Sequence, residues 1–140
     1  MKVLQPAGWK VPKGYANGVA AEGLQVYVAG QIGWNAQCAF ASDDLVDQVR
    51  QTLQNVRAVL AEAGAGPEHI ARMTWYLVDK REYLKRAREI GAVFREVIGV
   101  YSIAMTAVQV AALIEDRAQV EIEVTAVVPR QAGGAASASG

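Results

Sequence analysis

The chain has 140 residues, 14 Lys and Arg against 14 Asp and Glu, a formal net charge of zero, 52% hydrophobic residues, one Cys and one His. That is one ordinary domain, in which roughly two thirds of the extended surface is buried on folding; two domains, a disulfide framework and a tetrahedral zinc site within one chain are excluded. Balanced charge also leaves no basic stripe to replace the counterions of a nucleic acid, so no nucleic-acid partner is expected.

Met1 to Pro6 lead into no apolar signal-type run, and no stretch approaches the roughly 18 apolar residues of a membrane span, so a cytoplasmic protein without a membrane partner is expected. A short strand is possible at Lys2 to Gln5. Between Tyr15 and Gly30, two extended runs flank Glu22-Gly23, and the second alternates Leu24, Val26 and Val28 against Gln25, Tyr27 and Ala29, which predicts a hairpin. The polar connection from Gly30 to Ser42 carries Trp34, Asn35 and Cys38, and an aromatic in such a loop is a candidate pocket rim.

From Ser42 to Ala63, Leu45, Val49, Leu53, Val56 and Leu60 recur at the spacing of one helical face. Ser42, Asp43 and Asp44 supply capping oxygens at its start; Gly64, Gly66 and Pro67 end it. Residues 69 to 78 alternate Met73, Trp75 and Leu77 with Arg72, Thr74 and Tyr76, which predicts a strand with Trp75 on the core face. Asp79 with Glu82 resembles a capping box, and Tyr83, Ala87, Ile90, Phe94 and Val97 behind it mark one second helix running to Gly99. Strands are predicted over 106 to 113 and 118 to 128, with Ile114 to Arg117 as the turn between them. Residues 131–140 are Gly, Ala, Ser and Gln, read as a flexible tail on a domain spanning 1–130.

This order makes an α+β domain: a mixed sheet with two helices on one face. The other face would carry Tyr27, Thr74, Tyr76, Gln109, Glu121, Glu123 and Thr125, too mixed for a second core and too aromatic for plain solvent. Copies of the same chain closing over it would create clefts between subunits.

The ordered set Gly14-Tyr15, Val28-Ala29-Gly30-Gln31, the helix segment Gln48 to Ala63 containing Leu53-Gln54-Asn55-Val56, and Val120 to Val127 resembles the RidA family, the reactive-intermediate deaminases also called the YjgF family. The likeness covers residues 14–128. It implies a chorismate-mutase-like α+β fold, a homotrimer with ligand pockets at the subunit interfaces, no cofactor, no metal, and hydrolysis of enamines and imines such as 2-aminoacrylate to carbonyl compounds and ammonia. Tyr15 and Gly30, with Gln31 beside it, match pocket positions of the family, and Glu121 matches its glutamate that orients the attacking water. The family's carboxylate-clamping arginine stands in a Pro-Ala-Arg-Ser type segment that corresponds here to Ile103-Ala104-Met105-Thr106, so Met105 takes its place. The small thiol two residues on is Ala107, and the family's helix-two Asn falls on Arg88.

An ionised carboxylate enters a partly dry cleft only against a cation, and Met105 offers none; it packs as an apolar side chain or lines a pocket for a neutral or aromatic ligand. Arg88 either supplies the charge from the second helix or pairs with an acid at the surface. Glu121 either positions water or holds a subunit interface. Cys38 and His69 have no third orienting group, which argues against a thiol nucleophile. The candidate set is therefore Glu121 for catalysis and Tyr15, Gly30, Gln31, Trp34, Arg88 and Met105 for a small-molecule ligand. The leading expectation is an intersubunit enamine or imine deaminase, its rival a non-catalytic ligand-binding or modulator trimer. An endoribonuclease fits less well, because the only His sits beside Glu68 at a loop-strand junction.

Overall fold

A computed structural model describes residues 1–130; the expected tail, 131–140, lies outside the described residues. The chain opens with β1 (Lys2–Leu4) and β2 (Gly18–Ala20), which pair antiparallel as a small separate sheet. The predicted hairpin across Glu22-Gly23 is therefore corrected. β3 (Leu24–Ile32) spends its length on β6 (Val120–Val128), from Leu24 opposite Val128 to Ile32 opposite Glu121. The segment before β2 is drawn to the opposite edge of the main sheet, where Ala16 donates its amide to Ile103 O at 2.8 Å and bridges Ala104.

The main sheet has four strands in the order β3-β6-β4-β5, with β4 at Ile70–Leu77 and β5 at Ala104–Gln109. β5 runs parallel to β4 and the other pairs are antiparallel, which makes the sheet mixed. The expected turn at Ile114 to Arg117 is thus no hairpin: β6 inserts between β3 and β4, and the chain crosses the end of β4 to reach it. The parallel register sets Gln109 beside Leu77, on the helix side, where its side chain accepts from Lys80 N at 2.9 Å. Gln109 therefore leaves the open face on which sequence alternation had placed it.

Helix α1 (Leu45–Glu62) follows the predicted stripe, and Val49, Leu53, Val56 and Leu60 have no solvent exposure. Asp44 caps it by accepting from Asp47 N at 3.1 Å, and Gly64 leaves it in the left-handed region at φ 68°. Gly33, at the end of β3, lets this helix approach: a Cβ there would lie 2.6 Å from Gln48 Cβ and 2.8 Å from Gln48 Cα. Gln48 is itself buried and fully used, donating to Ser42 O and Arg117 O and accepting from Gln119 N.

The second predicted helix is two helices, α2 (Lys80–Lys85) and α3 (Ala87–Val97), broken at Arg86. Asp79 caps α2 through the amides of Arg81 and Glu82. Arg86 sits at φ −99°, ψ 15°, and its guanidinium reaches Asp44 at 2.8 Å, Glu82 at 3.4 Å and Glu89 at 2.8 Å. The break in the second helix is thereby tied to the cap of the first. α1 and α3 pack on one sheet face around Met73, Trp75, Leu77 and Ile122. No helix among the described residues is long and apolar enough to cross a membrane.

Candidate functional site

The parallel register places Met105 beside Met73 and Ala107 beside Trp75, so Met105 and Trp75 both face the helices. Above them α3 presents Ala87, Ile90, Gly91, Phe94 and Arg95, whose spacing is one helical stripe. With Gly14, Tyr83, Gly99, Val100 and Tyr101 these residues enclose a cavity of about 250 Å³ at the β5 edge. Four aromatic rings line it, and Arg95 is its one charged residue. A Cβ on Gly91 would stand 3.4 Å from Arg95 Nη1, so the absence of a side chain there leaves the guanidinium room to lie along the helix. Among the described residues Arg95 enters no ion pair. Trp75 is 2% exposed and its Nε1–H is buried without an acceptor. Burial pushes the Tyr83 phenol above its ordinary value, keeping it a neutral donor.

Arg88 does not line this cavity. It is exposed, one position round the helix from Ala87, so the rotation of about 100° per residue carries it off the stripe. Ala87, Gly91 and Arg95 are the α3 positions that face the cleft beside the apolar pair Ile90 and Phe94. Gly91 and Arg95 were not singled out from the sequence; the 3.6-residue period running through Ala87, Ile90 and Phe94 is the signal that could have found them.

Glu121 and Gly30 stand on the other face of the sheet. Glu121 lies opposite Tyr76, and the bare Cα of Gly30 accommodates the Glu121 side chain: a Cβ there would be 2.8 Å from Glu121 Cδ and 2.9 Å from Cγ. A bulge between Val28 and Gln31 sets Gln31 opposite Ile122, and the Gln31 side chain donates to Ala29 O at 3.0 Å. Tyr76 donates to Glu123 Oε1 at 2.5 Å, and this bond to the carboxylate pushes its phenol pKa up. Tyr27, 71% exposed, completes a shallow polar depression with Arg72, Thr74, Glu123 and Thr125.

One chain therefore brings Gly30 and Glu121 together and keeps them across the sheet from Met105, while Gln31, next to Gly30 in the chain, pairs with Ile122. Tyr15 lines a third depression with Trp9, Val11, Lys13 and Asn17, next in sequence to the cavity residue Gly14. Trp34 lines a fourth with Cys38 and Phe40; the Phe40 ring is 5.9 Å from Trp34 and has the Arg117 guanidinium 5.3 Å above it. His69 Nδ1 accepts from Gly66 N at 3.0 Å, so that nitrogen carries no proton to share with Glu68, 3.4 Å away. Cys38 sits exposed in a turn held by the Asn35 side chain. Among the described residues no group of His, Cys, Asp and Glu is placed to hold a metal ion.

Residues 9–128 match the family model described as Endoribonuclease L-PSP. A RutC family protein of Synechocystis is 34% identical over 132 residues, covering 92% of this chain and 98% of the relative. Escherichia coli TdcF, assigned by name to the reactive intermediate deaminases, is 31% identical over 118 residues, covering 84% of this chain and 88% of TdcF. Among solved structures, the Rid family protein YyfB of Yersinia pestis superposes with a TM-score of 0.80 at 29% identity, covering 91% of this chain and 98% of YyfB. Escherichia coli TdcF crystallised with bound serine gives 0.65 at 29% identity, covering 91% of this chain and 99% of TdcF.

Proposed function

Since the chain belongs to the Endoribonuclease L-PSP family, that of the YjgF and RidA proteins, we propose that it acts as a homotrimer of chorismate-mutase-like domains hydrolysing enamines or imines in a cleft between subunits. The observation that carries this reading is the division of the candidate residues between the two sheet faces. The aromatic cavity with Met105 opens at one edge, and the Gly30–Glu121 pair lies on the opposite face. A second copy laying its open face against the cavity mouth would supply to each cleft the carboxylate that the first copy cannot. The apolar exposure fits such an assembly: Val100 at the cavity mouth is 82% exposed and Tyr27 on the open face is 71%.

In that cleft, Glu121 accepts a hydrogen bond from a water and aims it at the imine carbon. The water oxygen forms the new C–O bond, its protons pass through the carboxylate to nitrogen, and the C–N bond breaks to leave a carbonyl compound and ammonia. Tyr15, Gly30 and Gln31 border this water and the substrate, while Met105 packs against the substrate body. A non-catalytic ligand-binding trimer is the second reading, favoured by Met105, because a thioether cannot hold a substrate carboxylate as an arginine does. RNA cleavage is disfavoured by the engaged Nδ1 of the single His and by the zero net charge.

Sedimentation and ammonia release test the proposal together. A trimer at micromolar concentration is expected, with imine hydrolysis that falls on the order of 100-fold or more in Glu121→Gln. A stable monomer removes the intersubunit site. A trimer that binds ligand without releasing ammonia establishes the second reading.

A further inference from the structure

The aromatic cavity raises a question of ligand class. Its lining holds Trp75, Tyr83, Phe94 and Tyr101, one thioether at Met105, one guanidinium at Arg95 and no carboxylate. Two donors on this lining have no partner among the described residues: the buried Trp75 Nε1–H, and the solvent-exposed Arg95 guanidinium, which enters no ion pair. A cationic ligand would find no counter-charge here, and a neutral apolar one would leave the guanidinium unmet. An anion with an aromatic body matches the lining: rings and thioether surround the body, and the guanidinium fork takes the carboxylate.

We infer that this cleft selects arylalkyl carboxylates, the imino or keto acids of aromatic side chains among them, with Arg95 as the counter-ion. The inference rests on the reading that this cavity is the ligand site, and it moves the carboxylate contact from β5 to α3. The local sequence makes the move possible. Gly91, one turn before Arg95, has no side chain between the guanidinium and the cavity, with Nη1 only 3.4 Å from the position its Cβ would take. Met105, where an arginine would have brought the charge in from the strand, instead extends the apolar floor beside Trp75. A three-carbon imino acid offers no body for the four rings, whereas an arylalkyl chain fills them and reaches the guanidinium at the helix.

Isothermal titration of the full chain with 3-phenylpropanoate, its neutral amide and pyruvate tests this. The aromatic carboxylate should bind at least tenfold more tightly than either of the others. Arg95→Gln should erase the preference for carboxylate over amide while leaving the amide's affinity unchanged, and Arg95→Lys should keep part of it. Because Arg95 is exposed, these variants should fold, which circular dichroism checks. Equal binding of acid and amide by the parent, or a preference that survives Arg95→Gln, overturns the inference. If 3-phenylpropanoate does not bind while Glu121-dependent imine hydrolysis persists, the ligand class is wrong and the proposed reaction stands. If binding and hydrolysis are both absent, the ligand class falls with the reading beneath it.

Discussion

Two glycines three residues apart in the β3 segment should fail in different ways when changed to alanine. At Gly33 the new Cβ would meet Gln48 Cβ at 2.6 Å and Cα at 2.8 Å, against a carbon–carbon optimum of about 3.5 to 4.0 Å. Helix α1 would have to withdraw by about 1 Å at Gln48 to restore that optimum. It is held there by Gln48 Nε2 to Arg117 O at 2.9 Å and Gln119 N to Gln48 Oε1 at 2.8 Å. Overpacking costs about 1 to 3 kcal/mol and a stretched buried hydrogen bond about 1 more, so Gly33→Ala should lose about 2 to 4 kcal/mol. At Gly30 the obstacle is the end of the Glu121 side chain, which can rotate aside for about 1 kcal/mol. Gly30→Ala should therefore keep its stability within about 1 kcal/mol and, if the proposed role of Glu121 in aiming the water holds, still lose about tenfold or more in imine hydrolysis. Urea unfolding at one fixed protein concentration, beside ammonia release, reads both, since the stability of an oligomer depends on concentration. A Gly33→Ala variant within about 0.5 kcal/mol of the parent would refute the tight strand–helix approach. Full turnover in Gly30→Ala, with Glu121→Gln inactive, would refute the positioning role of the bare glycine.

Asp44→Ala removes both the cap of α1 and the partner of Arg86 and should cost about 1 to 2 kcal/mol, whereas Asp44→Asn keeps a capping oxygen and should cost about half as much. The Arg86 guanidinium holds the Asp44 carboxyl below its ordinary range. The stability from this group is therefore fully present above the unfolded carboxylate value of about 4 and is lost as pH falls through the lower folded value. Urea midpoints from about pH 6 down to about pH 3 should fall less steeply in Asp44→Asn than in the parent. Met105→Arg should raise hydrolysis of 2-aminoacrylate about tenfold or more by supplying a strand-borne clamp, short of the roughly 2 to 4 kcal/mol that such a contact supplies, because Ile103 and Ala107 do not brace the new side chain. A parent that already matches an arginine-bearing relative would show that Met105 limits nothing.

Periodicity alone exposed the elements whose burial is decided along their own length. The stripe of Val49, Leu53, Val56 and Leu60 and the alternation of Met73, Trp75 and Leu77 needed no partner to be read, since each repeats the geometry of a single helix or strand. The α+β class followed from the order of those elements, and the family from motifs spread over residues 14–128. Pairing was another matter. Which strand neighbours which depends on contacts between residues far apart in the chain, so the β1–β2 pair, the parallel β4–β5 ladder and the insertion of β6 between β3 and β4 emerged only with the tertiary structure. The same holds for the break at Arg86. The amphipathic pattern runs through it without interruption, and three carboxylates from two helical segments and a cap accompany its turn. The exchange of Arg88 for Arg95 at the cavity has an equally simple cause. Motif alignment counts residues along the chain, whereas a cleft is lined by whatever the helical rotation of about 100° per residue turns toward it. Glu121 and Met105 were each visible as residues. That the sheet holds them on opposite faces, so that neither can complete a site with the other in one chain, is a consequence of strand register.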